Sequence, residues 1–122
     1  MPERVSFIRH KSTEILMIDW SNATADEILT AIEEAKKKIA SRPEKSVRTL
    51  TNVTNARADR RVTEALKEYV AHNKPFVLAG AVVGLNDLKT ILFNFVNRAT
   101  GRTLRAMDSV DQAKEWLISA HT

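Results

Sequence analysis

The 122-residue chain contains no cysteine. That excludes disulfides, thiolate catalysis and cysteine-held zinc or iron–sulfur centres. Glycine and proline occur three times each, too rarely for collagen, low-complexity or linker-rich architectures. Aromatic residues make up 6% of the chain and do not alternate with basic ones, so stacking on nucleic-acid bases has little to work with. No apolar run reaches the roughly 18 residues that span a bilayer, which predicts no membrane insertion. The opening Met1-Pro2-Glu3-Arg4 has no apolar leader segment. With the missing cysteines, this predicts a cytoplasmic protein.

The net charge of +4 is mild. A nucleic-acid binder concentrates its cations on one face or tail. Here Lys36-Lys37-Lys38 closes a helical segment, where cations favour the helix dipole and need no partner. The length fits one domain able to bury its own core, spanning residues 1–122.

Two β-rich runs come first, 4–10 and 14–20, joined by Lys11-Ser12-Thr13 as a hairpin. The first alternates apolar and polar residues and reads as an edge strand. The second carries Ile15, Leu16, Met17 and Ile18 in succession and reads as a strand buried on both faces. Thr24-Ala25-Asp26-Glu27 then forms a capping box. Ile28, Ile32, Ala35 and Ile39 make one apolar stripe on a helix of about 25–41, ended by Pro43. Residues 47–53 form a third strand. Asp59 caps a helix over 60–73, and the unbroken apolar run 76–83 is a fourth strand. Asn86 or Asp87 caps a third helix with a stripe from Leu88 to Ala99, ended near Gly101. A short strand over 103–107 and a Ser109-capped helix over 110–120 complete the chain. The order is ββαβαβαβα. It predicts an α/β fold: a mostly parallel five-stranded sheet, one antiparallel edge strand, and four helices, with the second and fourth strands central.

This order and several segments resemble the STAS superfamily, and within it the SpoIIAA-like small bacterial proteins. The segments are Val47–Arg57, Glu64–Glu68, His72-Asn73-Lys74-Pro75, Ala81–Gly84, Leu88-Lys89, Asn97–Arg102 and Ala113–Leu117. The resemblance implies a STAS-like fold and a non-enzymatic regulatory or interaction module that contacts a protein partner or a second copy. Its lipid-transfer branch implies the alternative of a small apolar or amphiphilic ligand held between helices and sheet. In the antagonist branch, a phosphorylated serine stands at the start of the helix after the third strand. The matching position is near Asp59, where no hydroxyl is present and Thr54 lies upstream. The simplest role for Asp59 is a helix cap.

No catalytic, metal or cofactor constellation emerges. His10, His72 and His121 lack metal-type partners at helical spacing. Gly80 and Gly84 form no phosphate loop and read as close-packing points. The partner-binding candidates are Arg57, Asp59, Arg60 and Arg61 at one helix start, and Phe93, Asn97 and Arg98 on the third helix. Cations in a first helical turn oppose the dipole, so an anionic partner would relieve them. Phe93 lies off its helix stripe, which points either to a contact surface or to the margin of the core.

Overall fold

The computed structural model describes residues 4–86, 90, 93–94, 97–98 and 104–120. Strands β1 (Val5–His10) and β2 (Thr13–Asp19) form the expected hairpin. Lys11 and Ser12 turn it with φ of 49° and 70°. Helix α1 (Ala25–Ala40) follows, then β3 (Val47–Asn52), α2 (Arg60–Asn73), β4 (Val77–Val83), β5 (Arg105–Met107) and α3 (Val110–Ser119). The sheet order is β1-β2-β3-β4-β5. Only β1 runs antiparallel to its neighbour. Both β2 and β4 are interior strands, as their apolar runs require.

The described residues contain three complete helices rather than four. The helix expected between Asn86 and Gly101 falls largely outside the described residues. Within it Thr90, Phe93, Asn94, Asn97 and Arg98 have helical backbone. The Thr90 amide and hydroxyl both donate to the Asn86 carbonyl at 2.8 Å.

Local chemistry starts each helix. The Glu27 amide donates to Thr24 Oγ1 at 3.2 Å, while the Thr24 amide donates to Glu27 Oε1 at 3.0 Å. This reciprocal box satisfies two otherwise orphaned donors. Asp59 and Ser109 cap α2 and α3 through the amides of Val62 and Gln112.

The alternation of side chains along the strands divides the core. On one face Leu16, Ile18, Val47 and Val82 pack with Ile28, Ile32 and Ile39 of α1 and with Val62, Tyr69 and Val70 of α2. On the other, Ile15, Leu50, Ala81 and Val83 meet Ala113 and Leu117 of α3. Arg48 points the same way as Leu50. Its Nε and Nη2 donate to the carbonyls of Leu117 and Ala120, each at 2.9 Å. A cation at the C-terminal end of α3 complements its dipole and fastens that end to the sheet.

Candidate functional site

Three loops leave the C-terminal ends of β2, β3 and β4 and interlock. After β2, the Trp20 amide donates to the Asn52 carbonyl at 2.9 Å, and the Ala23 amide returns to the Trp20 carbonyl at 3.1 Å. Asn22 adopts a φ of 57°, a conformation asparagine tolerates. Its amide donates to the Thr54 carbonyl at 2.9 Å. After β3, Asn52 Oδ1 accepts from the amide and hydroxyl of Thr54 at 3.0 and 2.7 Å. The Arg57 amide reaches back to the Ala23 carbonyl at 2.9 Å. After β4, Gly84 turns with a φ of +93° against Thr54.

Beneath these loops, between α2 and the sheet, lies a cavity of about 110 Å³. The strands contribute Thr51 and Val82, and α2 contributes Val62, Leu66, Tyr69 and Val70. The loops contribute Trp20, Val53, Ala56 and Ala58, and Leu85, Phe93 and Leu104 also line it. Exposed Ala58 stands at the rim. Of the lining side chains, only Trp20, Thr51 and Tyr69 carry a polar atom. The Trp20 ring lies 6.1 Å from Tyr69, centre to centre. Its indole nitrogen is buried and has no hydrogen-bond partner among the described residues.

The helix-start candidates divide into two kinds. Asp59 accepts from the Val62 amide at 3.1 Å and from Arg61 Nη2 at 2.9 Å. Arg61 also donates to Asp26 Oδ1 at 2.9 Å, joining the starts of α1 and α2. The cost of Arg61 in a first turn is therefore offset by two carboxylates. Arg57 and Arg60 are exposed and make no side-chain hydrogen bond or ion pair among the described residues. Thr54 is exposed and precedes the Asp59 cap by a loop, outside the first turn of α2.

Phe93 takes the second of the two placements open to it, the margin of the core: it is half-buried, packs against the α1–α2 side of the core and lines the cavity. Asn97 turns inward too: its Nδ2 donates to the Leu104 carbonyl and its Oδ1 accepts from the Leu104 amide, both at 3.3 Å. It thereby holds another cavity residue in place. Arg98 is exposed. Trp116 is half-buried on α3, with the Arg105 guanidinium 5.6 Å from its ring. Sequence reasoning did not find the cavity or the role of Trp20, because the wall is drawn from loops far apart in the chain.

Among the described residues, no group of three or more histidine, aspartate or glutamate side chains is placed to hold a metal ion. No described helix is long and apolar enough to cross a membrane.

Several carboxylates titrate below their ordinary values. The Arg42 guanidinium, bonding both oxygens of Glu14 at 2.9 and 3.1 Å, lowers that group from 4.5. The Arg61 guanidinium, then the Val62 amide, lowers Asp59 from 3.8. The Thr24 amide, then Arg4, does the same for Glu27. A depressed folded-state value contributes stability above the unfolded value and loses it as pH falls through the folded one. Thermal midpoints measured from pH 7 downward should therefore hold steady and then drop below about pH 4.5. Glu14→Gln should flatten the first part of that drop. A midpoint that rises on acidification would contradict these ion pairs.

The chain matches no family model, no curated protein and no solved structure.

Proposed function

We propose that this chain is a non-enzymatic, STAS-like module that receives a small apolar or amphiphilic ligand between α2 and the sheet. The observation that carries this reading is the apolar cavity at the C-terminal ends of the strands. Ligand sites are concave, mostly apolar and furnished with a few polar groups, and this cavity has that character. The loops around it are cross-braced by hydrogen bonds, so the site exists before a ligand arrives and ordering it costs little. The ββαβ element order and the STAS resemblance support the same reading.

The test is fluorescence of the dye ANS with the full chain, and its displacement by octanol. Wild type should enhance and blue-shift the dye, with octanol reversing the change. Ala58→Trp places a large ring at the exposed rim and should weaken both effects several-fold while leaving the thermal midpoint close to wild type. No enhancement in wild type, or an unchanged response in Ala58→Trp, would count against the cavity as a site.

A second reading, a regulatory module acting through a protein partner, rests on Arg57 and Arg60. Two exposed cations without partners among the described residues, beside a helix start, favour an acidic surface. Polyglutamate, used as a surrogate, should bind at low salt and be released as salt rises. The double substitution Arg57→Glu/Arg60→Glu should abolish that binding and leave ANS binding intact.

A further inference from the structure

The cavity comes to the surface at Ala58, which is exposed and also lines it. Arg57 precedes Ala58, and Arg60 follows two residues later. Consecutive Cα atoms are about 3.8 Å apart, so both long side chains start close to the rim. Both are exposed, and neither side chain makes a hydrogen bond or ion pair among the described residues. The described carboxylates of the two helix starts are already engaged. Asp59 and Asp26 each accept from Arg61 at 2.9 Å. Glu27 holds Arg4 at 3.1 Å, and Glu64 lies 3.8 Å from Lys67. The rim therefore carries positive charge that no described acid neutralises. The interior is the opposite. No lining residue is charged, and only Trp20, Thr51 and Tyr69 carry a side-chain nitrogen or oxygen. A charge taken inside would have nothing to pair with. An apolar hollow that opens beside two unpaired cations has the two-part chemistry of an amphiphile.

We infer that the site takes a single-chain amphiphile with an anionic head, its tail in the cavity and its head in water at the rim beside Arg57 and Arg60. This rests on the cavity being a ligand site. It assigns the two cations to that same ligand rather than to a separate acidic partner. Size bounds the tail. A buried apolar cavity of about 150 Å³ admits benzene; this one is about 110 Å³. The enclosed part is therefore no bulkier than benzene, about six carbons. A lipid with two long tails does not fit.

The test titrates the ¹⁵N-labelled full chain with hexanoate, hexan-1-ol and acetate, following the amides of Ala58 and Leu66. Hexanoate should bind about three- to tenfold tighter than hexan-1-ol, the range that exposed ion pairs allow. Salt at about 0.5 M should bring the two together. Acetate, which has no tail, should move neither amide at concentrations where hexanoate saturates them. In Arg57→Gln/Arg60→Gln the two six-carbon probes should bind equally. ANS carries a sulfonate, so Arg57→Glu/Arg60→Glu should weaken it here, whereas the separate-partner reading leaves it intact. Equal or weaker hexanoate binding in wild type, or an advantage that survives the double substitution to glutamine, would overturn the anionic head and leave the cavity reading standing. Acetate binding as tightly as hexanoate would overturn the inference in favour of a plain anion site. Binding of neither six-carbon probe would remove both this inference and the cavity reading. If the double variant does not fold, the salt dependence in wild type decides the matter alone.

Discussion

Gly84→Ala is expected to destabilise the chain by about 3 kcal/mol or more, the sum of a strained backbone and a collision. Gly84 has a φ of +93°, where L side chains are rarely found. A Cβ there would also lie 2.7 Å from the Thr54 nitrogen and 2.9 Å from its Cα. Both are backbone atoms. Thr54 has no freedom to retreat, since its amide is held by Asn52 and its carbonyl by Asn22. Either β4 must end differently or the β3 loop must lift. Leu85, next in the chain, forms part of the cavity wall, so ANS binding should fall along with stability. Denaturant titration gives the result directly as a lowered midpoint. Wild-type stability in Gly84→Ala would mean that the β4 exit is not locked against Thr54.

Leu50→Ala should cost about 3 kcal/mol, within the range for a buried leucine whose site cannot collapse. Leu50 has no exposed surface. Its register neighbours are Met17 and Ala81 on the flanking strands, and Ala113 and Leu117 of α3 lie over it. Hydrogen bonding on both sides of β3 prevents the backbone from closing over the void. Leu50→Met keeps the volume and should cost less than about 1.5 kcal/mol. Because Leu50 faces α3 and the cavity lies on the other side of the sheet, ANS binding per folded molecule should be unchanged. A loss of dye binding in Leu50→Ala under folding conditions would show that the two faces are coupled.

The features legible in the sequence are those written in neighbouring residues. Thr24 and Glu27 announce their capping box three positions apart. Asp59 and Ser109 mark helix starts, and the contrast between β1 and β2 in apolar pattern separates edge from interior. Strand ends agree to within a residue, except at β5, where Leu104 lies outside the strand and joins the cavity wall. What the sequence conceals depends on where distant segments meet. Nothing local to Arg48 says that it reaches the last carbonyls of a helix near residue 120. Nothing near Trp20 says that its N–H finds no partner among the described residues. Phe93 is instructive for the same reason. Its place off the stripe is legible, but the cavity it lines is built mostly by other elements.

Strands stand in the sheet in the order in which a ribosome makes them. Each new strand through β4 can therefore join the growing edge as it emerges, with no gap left for a later one. The two faces are finished at different times. The first two helices cover one face as soon as β3 and β4 are made. The opposite apolar face, with Ile15, Leu50, Ala81 and Val83, has no cover from the described residues until α3 appears. A nascent chain paused before residue 110 would carry a nearly complete sheet with one greasy side open to solvent or to a chaperone. The arrival of α3, after all five strands, therefore covers the side that would make such an intermediate sticky.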